Sequence, residues 1–266
     1  MALFSPSQMQ RYARHFDLAG VGFQGQLKLR EAKVLVVGAG GLGSPALYYL
    51  AAAGIGTIGV ADGDVVDLSN LQRQIVHFTA DAGKAKTNSA AEKIRAVNPD
   101  VNVVEHKMYL DASNIAQVIA GYDFVVEGCD NFATKFLVND ACVLAKKPFS
   151  HAGMLRFEGQ AFTYVPGHRC YRCLFRAPPP PGSVPNCADA GILGMLPGTL
   201  GSIQATEAVK WILGLGELLT DRLLIFDALS MRFREIRGAR DPGCPVCGDA
   251  PSITELRDEE GGSCES

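Results

Sequence analysis

The sequence has no apolar run long enough to cross a bilayer, and its first residues lack the pattern of a secretory signal. No membrane partner is expected, and the expected location is cytoplasmic. It also lacks a charge excess: 25 Lys and Arg stand against 28 Asp and Glu, for a formal net charge of −3. That argues against a general affinity for nucleic acid or an anionic surface. No internal repeat is present, which argues against a repeat array. What is there is 266 residues, 47% of them hydrophobic. Such a chain can bury a large core, as one α/β domain or as one domain with a smaller appendage.

The stretch from Lys33 to Asp64 organises the rest. Val34 to Val37 is a β-branched apolar run that reads as a buried parallel strand. It leads into Gly38-Ala39-Gly40-Gly41-Leu42-Gly43. Ser44 is expected as a helix N-cap with Pro45 in the first turn, Ala46 to Ala53 as the helix, and Gly54 as its stop. Thr57 to Ala61 reads as a second strand ending at Asp62. Strand, glycine turn, helix, strand and acid form a dinucleotide-type βαβ unit. The glycines let the backbone approach a phosphate, and the helix N-terminus adds partial positive charge. Asp62 is placed to accept bonds from ribose hydroxyls. The unit alone leaves NAD, FAD and ATP open.

Before this unit, residues 1–30 read as an N-terminal helical arm, with a helix over Gln8–Phe16 carrying Arg11 and Arg14 and a second helix over Gln26–Glu31. Gly20 to Gly25 is expected to break the pattern. An arm preceding a nucleotide fold can reach across a dimer, which singles out Arg14; otherwise these arginines are a solvated face. After Asp62, Gly63 to Gln74 has no clear periodicity and reads as a loop at the carboxyl end of a strand, where ligand crevices form. Asn70, Arg73 and Gln74 can there reach a polyphosphate or ribose. Lys84 and Lys86 precede a helix over Thr87–Val97, where a lysine can neutralise phosphate or lie in solvent.

Strands are expected at Val101–Glu105, Asp123–Val126 and Pro148–His151, with helices at Asp111–Ala120 and Phe132–Ala145. Asp130 follows the second of these strands. A carboxylate there can hold Mg²⁺ on a nucleotide, or cap the next helix beside Asn131. Cys129 and Cys142 read as small packed hydrophobes. His77, His106, His151 and His168 have no partner visible in the sequence. From Gly153 the repeat ends. Met154 to Val165 alternates as an antiparallel pair, 177–182 is a stiff proline loop, Gly198–Leu213 is a helix with one face of small residues, and Leu223–Phe226 and Arg232–Ile236 read as paired strands. The tail from Ala250 is polar, acidic and expected to be loose.

Eight cysteines are many for idle thiols in a reducing compartment. Cys170/Cys173 and Cys244/Cys247 make two CxxC pairs, a four-thiolate set suited to tetrahedral Zn²⁺ with no open position, hence structural. A redox CxxC, the rival, needs only one pair. Cys187, after the proline loop, is either a thiol able to take an acyl or sulfur group or an idle cysteine. Cys264 reads as idle.

Taken together these pieces resemble the E1-like adenylating enzymes of the MoeB/ThiF/HesA family. The matching segments are RYAR at Arg11–Arg14, GAGGLG at Gly38–Gly43, D-x-D at Asp62–Asp64, SNLQRQ at Ser69–Gln74, Lys86 and GCDN at Gly128–Asn131. CYRC at Cys170–Cys173, QATEAVK at Gln204–Lys210 and GCPVCG at Gly243–Gly248 complete the set. The resemblance implies a Rossmann-like, mostly parallel sheet flanked by helices, with a mixed or antiparallel C-terminal half and a structural zinc site. It implies a ThiF-type adenylation domain over 31–249, with a nucleotide-binding half over about 31–152, a carrier-binding and zinc half over about 153–249, and a flexible tail over 250–266. SNLQRQ with two CxxC pairs moves the expected nucleotide from NAD to ATP.

The implied reaction joins the C-terminal Gly-Gly carboxylate of a small ubiquitin-like sulfur carrier to AMP, in thiamin or molybdopterin cofactor biosynthesis. A sulfur donor then displaces AMP to leave a thiocarboxylate. By the same resemblance Gly38, Gly40, Gly41, Gly43, Asp62, Asp64, Asn70, Arg73, Gln74 and Lys86 bind ATP. Arg73, Lys86 and Asp130 are catalytic, Asp130 through Mg²⁺, Arg14 comes from the second subunit of a homodimer, and Cys187 is linked in some members to thiol chemistry. GCDN replaces the commoner CTDN, which shifts a cysteine and keeps the aspartate. With no rhodanese motif after the zinc cysteines, sulfur is expected from a separate cysteine desulfurase or rhodanese-type protein. The competing readings are a nicotinamide-dependent oxidoreductase, which leaves SNLQRQ and the zinc cysteines unexplained, and a non-catalytic carrier-docking module.

Overall fold

The chain is described from a computed structural model, which covers residues 4–180 and 191–259. Short β-branched runs make the first strands, β1 (Lys33–Val37), β2 (Thr57–Ala61), β3 (Asn102–His106) and β4 (Phe124–Glu127). The buried patterns of β1, β2 and β4 are near-continuous rather than alternating, as strands covered on both faces require, whereas β3, at the sheet edge, is half-exposed. They join β5 (Phe149–Leu155), β6 (Glu158–Tyr164), β7 (Arg222–Asp227) and β8 (Arg232–Arg237) in one eight-stranded sheet of order 3-2-1-4-5-6-7-8. β1 to β5 pair in parallel, and β5 to β8 antiparallel. The strand expected to end at His151 runs on to Leu155, so the alternating stretch from Met154 holds the end of one hairpin arm and all of the next.

Helices α1 (Pro6–Arg11), α2 (Ala13–Phe16), α3 (Gly22–Glu31), α4 (Gly43–Ala53) and α5 (Lys86–Val97) come from the first half. α6 (Ile115–Ala120), α7 (Phe132–Leu144), α8 (Tyr171–Leu174) and α9 (Met195–Leu213) follow. One core lies between α3, α4, α5 and α9 and the Val34, Val36, Ile58, Val60, Phe124 and Val126 face of the sheet. A second lies between α6, α7 and α8 and the face bearing Leu35, Val37, Val125, Phe149 and Phe162, and a smaller third gathers Leu42, Ala161, Leu196, Leu200 and Phe226. Helices, sheet and helices form three layers, as the sequence leads one to expect. The small-residue face of α9 touches α4 closely: a Cβ at Gly201 would lie 2.1 Å from the Leu42 carbonyl. Among the described residues no helix is long and apolar enough to cross a membrane.

Five local expectations are corrected. The arm helix breaks at Tyr12, whose ring is buried over Gly54 while its hydroxyl accepts from Asn98 Nδ2 at 2.8 Å. Gly25 lies within α3 rather than breaking it, packed closely against Val21 and Leu213, where a Cβ would lie 3.1 Å from each side chain. Ser44 is not an N-cap. The turn is already helical at Leu42, so Ser44 lies inside α4 and its hydroxyl donates to the Gly40 carbonyl at 2.7 Å. α9 starts at Met195, three residues early, with Gly194 against the Gln72 carbonyl. The tail from Ala250 is held as far as Glu259: Ile253 and Leu256 pack on the core, Asp258 accepts from Ala112 N at 2.9 Å, and Glu259 pairs with Arg172.

Candidate nucleotide crevice and zinc-type cluster

The strand order reverses between β1 and β4, since β1 continues to β2 on one side while β4 lies on the other. Crevices in open parallel sheets form outside the carboxyl ends of such a pair. Two glycines meet there. Gly38 has φ +88°, and a Cβ on it would lie 2.8 Å from the Gly128 carbonyl. A Cβ on Gly43 would lie 1.9 Å from the Gly38 carbonyl, so only glycine permits this turn. Gly40 is different: the nearest atom to a Cβ there is Gln74 Nε2, at 3.6 Å. The loop is tight at its ends and open at Gly40 in its middle, with Gly41 packed close under Pro197 of α9; an open glycine at such a turn lets an anion approach the backbone.

The loop after β2 closes over this middle. It carries two short 3₁₀ turns, Leu68–Asn70 and Thr79–Asp81. Asn70 packs its side chain back on the Asp67 amide, and Arg73 donates to the Ser69 carbonyl at 3.1 Å while its stem lies beside Gly41. Gln74 is buried with Oε1 unpartnered. A buried amide oxygen without a donor beside an open glycine backbone fits a polar ligand such as a nucleotide. Asp62 accepts from Ala39 N and from Asp64 N, both at 2.8 Å, and burial raises its pKa against the opposing pull of Lys86. Lys86 is buried and its ammonium lies 2.8 Å from Asp64 Oδ2. Burial acts to raise the Asp64 pKa, but hydrogen bonds from Lys86 and Tyr109 outweigh it and hold it low.

Asp130 is exposed two residues beyond Gly128, and Asn131 rather than Asp130 caps α7, accepting from Thr134 N at 2.8 Å. The capping alternative for Asp130 is therefore removed, and its carboxylate is left facing solvent beside the crevice. Arg14 is not brought to the crevice within one protomer. Its arm packs on Val97, Asn98 and Asp100, ahead of β3, at the opposite end of the strands. Cys187 and Cys264 lie outside the described residues.

Below the Asp130 loop lies a charged cluster that sequence reasoning missed. Glu127, fully buried at the end of β4, accepts from Lys135 Nζ at 3.1 and 3.3 Å, from His151 Nδ1 at 2.5 Å and from Cys129 N at 2.7 Å. Lys135 also donates to the Ala152 carbonyl, and Gln204 of α9 donates to the carbonyls of Glu127 and Ser150. Burial works to raise Glu127, yet Lys135 and His151 hold it at about 2. Burial and then Lys135 push His151 down, so the imidazole is neutral. Tyr109 was missed as well: its hydroxyl donates to Asp64 Oδ1 at 2.5 Å and its ring covers Gly63. The other histidines found partners too, His106 with Tyr122 and His168 with Asp221. Cys129 and Cys142 are buried in the core, as expected.

The two CxxC pairs meet. Cys170 Sγ lies 4.0 Å from Cys173 and 3.6 Å from Cys244, and Cys173 lies 3.3 Å from Cys247. All four sulfurs fall within 4.8 Å of one another. A tetrahedral zinc with bonds of about 2.3 Å needs sulfurs about 3.8 Å apart, so the set fits Zn²⁺. The Asp241 amide donates to Cys173 Sγ at 3.4 Å, as a thiolate would require. The cluster joins the segment after β6 to the segment after β8. That both pairs converge speaks against a lone redox CxxC.

Residues 12–246 match the ThiF family. The chain is 51% identical over 243 residues to the SAMP-activating enzyme E1 of Haloferax volcanii, covering 91% of this chain and 90% of that one. It is 45% identical to the sulfur carrier protein adenylyltransferase of Thermus thermophilus, with 97% of each chain covered. It spans 65% of the length of the 48%-identical adenylyltransferase/sulfurtransferase MoeZ of Mycobacterium tuberculosis. Among solved structures, Escherichia coli MccB with ATP superposes at a TM-score of 0.75 with 26% identity, over 89% of this chain and 74% of that one. The extent of these matches and the crevice they cover make this chain a member of the ThiF family.

Proposed function

We propose that this protein is an adenylyltransferase that uses ATP to activate the C-terminal Gly-Gly carboxylate of a small ubiquitin-like sulfur-carrier protein. The observation that carries the reading is the crevice itself. The glycine loop, the orphaned Gln74 oxygen, the cations of Arg73 and Lys86 and the exposed carboxylate of Asp130 all belong to segments that follow the carboxyl ends of β1, β2 and β4 at the sheet's switch point, which supports the reading.

The carrier's carboxylate oxygen attacks the α-phosphorus. A new P–O bond forms, the bond to the bridging oxygen breaks, and pyrophosphate leaves with the electron pair. The nucleophile is already an anion, so the site needs no strong base; it needs charge neutralisation around a crowded phosphate. Arg73 and Lys86 supply cations, and Asp62 orients the ribose. Asp64 holds Lys86 in register, and Asn70 and Gln74 position the triphosphate. Asp130 would hold Mg²⁺, which when bound neutralises phosphate charge. Four cysteinyl sulfurs would hold Zn²⁺ as a structural tie. Arg14 of the partner subunit completes the site in a homodimer. Cys187 is a candidate for thiol chemistry with the activated carrier. Sulfur comes from a cysteine desulfurase or rhodanese-type donor, the products being thiamin or molybdopterin precursors, and the protein acts in the cytoplasm.

The test is to incubate the protein with ATP, Mg²⁺ and a Gly-Gly carrier and add hydroxylamine, which converts an acyl-adenylate to a hydroxamate. A carrier mass raised by the hydroxamate supports the reading. Its absence with both a thiamin-type and a molybdopterin-type carrier, while ATP still binds, would point instead to a docking module.

A further inference from the structure

We infer that His77 is a positioning residue for the nucleotide loop, setting the protein's affinity for the nucleotide without touching it; this rests on the reading of the crevice as an ATP site. Ala39, the second residue of that loop, is held at both of its backbone polar groups by side chains, the half-buried Asp62 and the buried His77. Its N–H donates to Asp62, and its carbonyl lies 2.9 Å from His77 Nε2. His77 is itself buried, on the loop that follows β2, three residues after Gln74. Its other nitrogen, Nδ1, lies 2.9 Å from the Ser89 hydroxyl on α5, the helix that begins with Lys86.

The chemistry fixes the tautomer. A carbonyl only accepts, so Nε2 carries the hydrogen and Nδ1 accepts from the serine. Asp81, Lys86 and Lys93 are the charged groups that act on the ring. Burial and the two lysines keep the imidazole neutral, and a neutral ring in this tautomer satisfies both partners. His77 therefore ties together the three pieces that form the crevice: the glycine loop, the loop bearing Asn70, Arg73 and Gln74, and the helix bearing Lys86. The two bonds hold the successive peptide units on either side of the Ala39 Cα, and the clamped Ala39 carbonyl shares its plane with the Gly40 N–H, so it fixes which way that amide faces. Without the clamp the loop's amides would sample orientations that do not meet a phosphate.

The experiment uses the full chain and compares His77→Phe, which keeps the ring's bulk, with His77→Gln, whose amide N–H can still donate to the Ala39 carbonyl. Ser89→Ala is the milder variant if His77→Phe fails to fold. Two readouts are taken: amide hydrogen exchange at Ala39 in the protein alone, and KM for ATP against KM for the carrier. The expected result for His77→Phe is exchange at least tenfold faster at Ala39 and a KM for ATP raised at least tenfold, with carrier KM within twofold. His77→Gln should recover most of both, and Ser89→Ala should show a smaller shift in the same direction. Unchanged exchange at Ala39 in His77→Phe, or in Ser89→Ala where the former does not fold, would overturn the inference. If the wild-type protein binds no ATP, the adenylation reading fails, and the exchange readout still decides whether His77 holds the loop.

Discussion

Glu127→Ala should be among the most damaging single changes outside the glycine loop. The carboxylate is fully buried and accepts from an ammonium, an imidazole and a backbone amide. Its removal leaves the Lys135 charge with only the Ala152 carbonyl, and leaves the Cys129 amide unpaired under the Asp130 loop. Breaking a buried pair by deleting one partner costs about 3–5 kcal/mol. At about 2–4 °C per kcal/mol for a domain near this size, Tm should fall by roughly 6–20 °C. Lys135→Met is the informative companion. Lys135 is one of the forces holding the His151 imidazole neutral, so its loss lets Glu127 draw a proton onto His151. The folded pKa of His151 then moves up from where burial and Lys135 hold it in wild type. The higher a folded pKa, the more protons favour the folded state as pH falls, so the variant regains stability at the lower pH relative to wild type. Lys135→Met should therefore be less stable at pH 8 than at pH 6, relative to wild type, by urea denaturation at both pH values with zinc present. A Glu127→Ala protein within about 1 kcal/mol of wild type would refute the reasoning.

Three further outcomes follow from the same geometry. Cys244→Ser should release zinc measured by elemental analysis and expose the Cys170 region to proteolysis, since the cluster ties the segments after β6 and β8 together. Gly43→Ala should abolish nucleotide binding in a titration and destabilise by about 1–3 kcal/mol or more, because its Cβ would lie 1.9 Å from the Gly38 carbonyl. Stability of the wild type should fall as pH drops from about 6.5 toward 4, where the unfolded chain protonates histidines that the folded chain keeps neutral. His77, pushed by burial to about 4, and His151 drive this, and His77→Gln should flatten the acid limb of the stability curve.

The sequence was legible where its signals are local. The run from Val34 to Asp62 encodes strand, turn, helix and strand in consecutive residues, and the structure follows it apart from Ser44. The serine misled because an N-cap is read from residue type, whereas here the glycine turn has already begun the helix at Leu42. The two CxxC pairs were readable because spacing within each pair is a local property. Their meeting in one cluster required a fold that brings residues 170 and 247 together. The Glu127 cluster was not readable. Its partners come from β4, α7, β5 and α9, and no spacing in the chain announces that they converge. Tyr12 shows the same limit, since a helix broken by one buried ring over Gly54 looks periodic until the tertiary contact is known. The tail looked loose because it is polar. Ile253, Leu256 and the Arg172–Glu259 pair anchor it through contacts made only on folding.

The most direct test of the adenylation account is carrier-dependent exchange of labelled pyrophosphate into ATP, with wild type and Asp130→Ala side by side. The account predicts exchange with wild type only when a Gly-Gly carrier is present, and a loss of at least a hundredfold in Asp130→Ala. A thiamin-type and a molybdopterin-type carrier in separate tubes would assign the pathway at the same time. Exchange without any carrier, or exchange that survives intact in Asp130→Ala, would contradict it.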